Sequence, residues 1–94
     1  MNATPYKSTP VFTEETLPAS LQKKHNTKAG VWGVIRILEG ELGLTLLDPP
    51  SETVLRPGTP GILQPEQWHF VTLRGPMRMQ IDFYDTPPPN REFP

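Results

Sequence analysis

An all-β sandwich or barrel is the fold class that this 94-residue chain predicts, on three observations. Six stretches of strand length follow one another, each alternating apolar with polar residues or rich in Val, Ile, Leu and aromatics. Gly and Pro turns separate them at short intervals, and the 13 prolines exclude long helices. No window carries a sustained helical period, and no repeat of fixed length is visible.

In chain order, the first expected strand is VWGVIRILEG, closed by a Glu-Gly turn. ELGLTLLD follows, with Leu42, Leu44 and Leu46 alternating against Glu41, Gly43 and Thr45 before two prolines forbid further pairing. ETVLRPG and TPGILQP are short strands bounded by Pro and Gly. WHFVTLRG sets His69, Val71 and Leu73 against Trp68, Phe70 and Thr72. PMRMQIDFYD sets Met77, Met79, Ile81 and Phe83 against Arg78, Gln80, Asp82 and Tyr84.

The ends read as covers rather than core. Val11 and Phe12 are the apolar anchors of the first segment, and ETLPASL suits one short helical turn. DTPPPNREFP favours extended polyproline geometry. One domain is therefore expected over residues 1–94, with a core from about 17 to 85 and a proline-rich tail from 86 to 94.

Nine basic and ten acidic residues give a net charge of −1 with no basic run, which argues against nucleic acid as a partner. The absence of cysteine excludes disulfides, thiolate metal sites and a cysteine nucleophile. No leader-like segment and no stretch of about 20 apolar residues is present, so a cytoplasmic protein without a membrane partner is expected.

Two histidines hold most of the chemical interest. His69 shares the face of Val71 and Leu73, so alternation points it inward. A buried neutral imidazole has one donor and one acceptor to satisfy, either by a backbone carbonyl or by a metal. If the segment through His25 pairs beside the strand of His69, the two rings share a cavity. Two imidazoles and a carboxylate form a ligand set for Zn, Fe, Mn or Ni. Asp82, Glu39 and Glu66 are the carboxylate candidates, with Asp82 chosen. A second constellation, Asn26, Lys28, Trp32 and Arg36, offers amide, ammonium, indole and guanidinium groups to a small anion or planar ligand without metal. Ser8, Ser20 and Ser51 lie in turn contexts, so no nucleophile–base pair and no reaction is assigned.

HNTKAGVWGVIRILEGEL, followed by PEQWH and IDFY, resembles the small cupin domains related to tellurite-resistance protein B and the YeaR-type proteins, from about Leu17 to Tyr84. The resemblance implies a small double-stranded β-helix, a domain that occurs alone or ahead of a methyltransferase domain, and dimerisation through sheet edges. It also implies a divalent metal held inside the barrel by histidines and a glutamate. Of those ligands His69 carries over directly, while the first-motif region holds Asn26, Thr27, Lys28 and Gly33. A reduced site of His25, His69 and Asp82 is the resulting expectation. The function expected is a binding protein, holding a divalent metal or small ligand in the barrel and linked to tellurite, oxyanion or related stress. The alternatives are a metal-free anion-binding module and a structural, homodimeric cupin without catalysis.

Overall fold

The computed structural model of the protein describes residues 4–88, so residues 1–3 and the tail from 89 onward lie outside the described residues. Strand β1 is Lys7–Ser8, β2 is Phe12–Thr13 and β3 is His25–Asn26. Then come β4, Trp32–Leu47; β5, Pro50–Leu55; β6, Gly61–Leu63; and β7, Trp68–Tyr84. A 3-10 turn, Ala19–Gln22, overlaps the end of the expected ETLPASL turn and runs one residue past it. Among the described residues there is no α-helix, and no helix long and apolar enough to cross a membrane.

The all-β expectation holds, but the strand count does not. VWGVIRILEG and ELGLTLLD are one strand of 16 residues, and WHFVTLRG and PMRMQIDFYD are one of 17. The residues read as turns lie across from each other. Registers shift between Ile37 and Glu39 and again between Gly40 and Leu42, where β4 runs antiparallel to β7. Paired bulges therefore bend both strands at one place instead of reversing them. Seven strands join in one antiparallel sheet, with the path β1-β7-β4-β5; β2 and β3 also pair with β7, and β6 pairs with β4. This is an open sheet, and the closed double-stranded β-helix implied by the cupin resemblance is not what the pairing shows.

Alternation along β7 sorts its side chains as expected as far as Ile81, but Asp82 and Tyr84, expected on the solvent face, are buried as well. Val71, Met77, Met79 and Ile81 are buried against Ile35, Ile37, Leu42, Leu44, Leu55 and Leu63. Each such side chain contributes about 1.5–3 kcal/mol. Leu17 and Phe12 bring the N-terminal segment onto this core, whereas Val11 stays exposed. Tyr6, Thr9 and Ser8 fasten the same segment to β7, through backbone bonds from Tyr6 and Thr9 to Phe83 and Ile81 and through the Ser8 hydroxyl.

Gly40 sits at the bend with φ +77°, and a Cβ there would fall on the Pro76 carbonyl oxygen, which is backbone and has no room to give. Gly30 has a similar φ of +75° but open space around it. Gly40→Ala is therefore expected to cost about 2 kcal/mol or more, a loss in Tm on the order of 10 °C, and Gly30→Ala only about 1 kcal/mol. Thermal denaturation of the two variants checks this; equal melting temperatures would refute it.

Candidate functional site

His25 and His69 face each other as direct partners in the β3–β7 ladder. Local bonds produce this pairing. Gln64-Pro65-Glu66-Gln67 turns tightly, with Pro65 supplying a fixed φ and Glu66 at φ +60°. The Glu66 N–H donates to the Thr27 carbonyl at 2.9 Å, pinning the segment after β3 to that turn. The imidazole centroids are 4.2 Å apart, with planes at 62°.

Each ring is held the same way. His25 Nδ1 lies 2.7 Å from the Lys23 carbonyl, and His69 Nδ1 lies 2.8 Å from the Gln67 carbonyl. A carbonyl only accepts, so both Nδ1 atoms carry the proton. In the neutral rings both Nε2 atoms are then lone-pair acceptors, and neither has a partner among the described residues.

The rings line a cavity of about 310 Å³. Its walls are mainly apolar, from Leu21, Val31, Ile35, Leu63, Val71, Ile81 and Phe83. Tyr6, Lys7, Asn26, Thr27 and Lys28 complete the lining. His69 is only 3% exposed, and burial holds its imidazole pKa below the usual 6.5. The Gln67 carbonyl opposes that shift, and the neighbouring His25 adds to it.

Of the two expected constellations, each is half assembled. His25 and His69 meet, but Asp82 does not join them. On β7 the cavity is lined by Ile81 and Phe83, so Asp82 projects from the opposite face. There it is 5% exposed and accepts from Arg36 Nε at 2.6 Å and the Ser8 hydroxyl at 2.7 Å. Glu39 and Glu66 are exposed and do not line the cavity. Among the described residues no three His, Asp, Glu or Cys side chains gather as a metal site. Asn26 and Lys28 do line the cavity, whereas Trp32 and Arg36 occupy the other face of β4, Arg36 bound to Asp82 and Gln80. Sequence reading missed Tyr6, Lys7 and Leu21. Their place depends on the N-terminal segment pairing with the far end of the chain, Lys7 opposite Phe83, for which no local signal exists.

Residues 7–81 match the family model described as TehB-like domain. The chain belongs to the TehB-like family. It is 35% identical over 85 residues to the probable S-adenosyl-L-methionine-dependent methyltransferase TehB of Haemophilus influenzae strain Rd, and 34% identical to the same enzyme of strain 10810. Each alignment covers 84% of this chain but 30% of the relative, so the chain spans less than a third of the curated relatives' length. The crystal structure of Haemophilus influenzae TehB superposes with a TM-score of 0.78 at 31% identity, over 88% of this chain and 31% of that one. A crystal structure of an Escherichia coli K12 protein superposes with a TM-score of 0.81 over 93% of this chain and 94% of that one; at 23% identity it bears on the fold alone.

The TehB-like relationship bears out that part of the sequence resemblance and overturns the functional expectation attached to it. Both named relatives are described as probable S-adenosyl-L-methionine-dependent methyltransferases, not as metal-holding barrel proteins. The expected barrel protein holding Zn, Fe, Mn or Ni, with its anion-module and scaffold alternatives, gives way to that reading. The cupin and metal-binding descriptions fall with it.

The lowered pKa of His69 has a definite sign for stability. Between the folded pKa and 6.5 the unfolded chain binds a proton that the folded chain refuses, so stability falls as pH drops below 6.5 and is level above it. Urea titrations from pH 8 to pH 5 are expected to show this fall. His69→Gln should remove part of it, and an unchanged pH profile in that variant would contradict the assignment.

Proposed function

We propose that this chain serves S-adenosyl-L-methionine-dependent methyl transfer as the all-β part of such a system, and that its cavity receives the methyl acceptor rather than the methyl donor. The observation that carries the reading is the match to about 30% of TehB, in sequence and in fold together.

Charge and shape favour the acceptor. S-adenosyl-L-methionine bears a sulfonium and an ammonium cation, and dinucleotide and nucleoside sites commonly use a carboxylate for ribose hydroxyls. The cavity lining contains no Asp or Glu and includes two lysines. The described residues also hold no strand–glycine-rich turn–helix unit, the usual cradle for a nucleotide-like cofactor. An apolar pocket with two fixed acceptor nitrogens suits a small uncharged substrate.

The test is a chimera in which residues 7–81 replace the matched third of Haemophilus influenzae TehB. Release of S-adenosylhomocysteine is measured with a small-molecule extract of that bacterium as acceptor source. The chimera is expected to retain at least a tenth of the TehB rate, and TehB lacking the stretch to lose ten-fold or more. A chimera no faster than the deletion would overturn the reading. Isothermal titration should also show S-adenosyl-L-methionine failing to bind the isolated chain at millimolar concentration.

A further inference from the structure

The cavity has one polar feature that its apolar walls do not explain. Two imidazoles line it with ring centroids 4.2 Å apart, their Nδ1 atoms committed to the carbonyls of Lys23 and Gln67, so that each neutral ring keeps Nε2 as an acceptor. A buried polar atom without a partner is rare because it forfeits a hydrogen bond to water, and the lining holds one. It is the Thr27 hydroxyl, on a residue 7% exposed, which has no hydrogen-bond partner among the described residues. One buried hydroxyl and two imidazole acceptors on the same lining are thus open to a ligand.

The ligand's chemistry follows from theirs. Paired lone pairs attract a hydrogen-bond donor, and an anion without one would face them unpartnered, with only the exposed ends of Lys7 and Lys28 to attract it. A cation is disfavoured by Lys7 and Lys28, which line the same cavity. What remains is a neutral molecule with a hydrocarbon body for Leu21, Val31, Ile35, Leu63 and Phe83 and one O–H or S–H for the imidazoles. Such a group is also a common nucleophile for a sulfonium methyl donor.

We infer that the Nε2 atoms of His25 and His69 bind the O–H or S–H of a small, otherwise apolar ligand of the phenol or thiol class. The inference rests on the acceptor-site reading above and narrows it.

The probe is 4-propylphenol, titrated calorimetrically into the full chain at pH 7.5, where a phenol with a pKa near 10 is neutral. The comparison ligands are 4-propylanisole, which keeps the shape and lacks the donor, and 4-propylbenzoate, an anion. The phenol is expected to bind at least ten-fold more tightly than either, with no change on adding EDTA. His25→Leu and His69→Leu should each bring the phenol down to the level of the ether while leaving the ether's affinity intact. The half-buried His25 is the variant to read if His69→Leu fails to show the wild-type near-ultraviolet dichroism. Equal affinity for phenol and ether, tighter binding of the benzoate, loss in EDTA, or no binding at millimolar concentration would each overturn the inference. Turnover by the TehB chimera without phenol discrimination sinks this inference alone, because the calorimetry needs no methyl donor.

Discussion

The pairing of β4 with β7 is the constraint on which the rest of the molecule depends. These two strands run antiparallel from Trp32 opposite Tyr84 to Leu46 opposite His69, and five other strands attach to one or the other. A long antiparallel pair buries one face only if it curves, and the bend at Gly40 and Met77 provides that curvature. The apolar side chains on the concave side then meet each other. Leu42 and Met79, on either side of the bend, are fully buried as a result. These β4–β7 contacts join distant parts of the chain, so the fold is mostly non-local, the β4–β5 hairpin being a local exception.

The same pairing makes the site chemically uneven. His69 lies at the start of β7 on the concave face, where burial disfavours the charged imidazolium. His25 is brought opposite by a strand of only two residues. The backbone carbonyls two residues earlier in each segment fix both tautomers, so the rings act as matched acceptors rather than as a donor and an acceptor. This arrangement resembles the outer-shell support of a metal ligand, but the carboxylate that would complete such a set is on the far side of the sheet. Proximity of two imidazoles is a geometric fact about the ladder. Their role follows from what stands around them, chiefly hydrocarbon and lysine.

Much of this was legible in the residues themselves. Alternation correctly put His69, Val71, Met77, Met79 and Ile81 on one face, because a half-buried strand imposes a period of two. The meeting of His25 with His69 was conditional on a strand pairing that the chain does adopt. The strand count failed because Glu-Gly and Arg-Gly-Pro are equally good hairpin and bulge formers, and only the partner strand decides between them. Asp82 was misplaced for a related reason. Its polar side chain marked the outer face correctly, but nothing local showed that Arg36 and Ser8 would bury it there. The functional class was the least legible, since the residues in hand correspond to under a third of the enzymes that share them.

Strand β7 also joins two regions that look unrelated. On one side Asp82 accepts from Ser8, and on the other Ile81 and Phe83 form the cavity wall, which Lys7 and Tyr6, adjoining Ser8, also line. The N-terminal arm thus lies along the sheet's edge with Ser8 turned to one face and Lys7 to the other. A single two-residue strand therefore carries both a wall residue of the cavity and a partner of the Arg36–Asp82 ion pair on the opposite face.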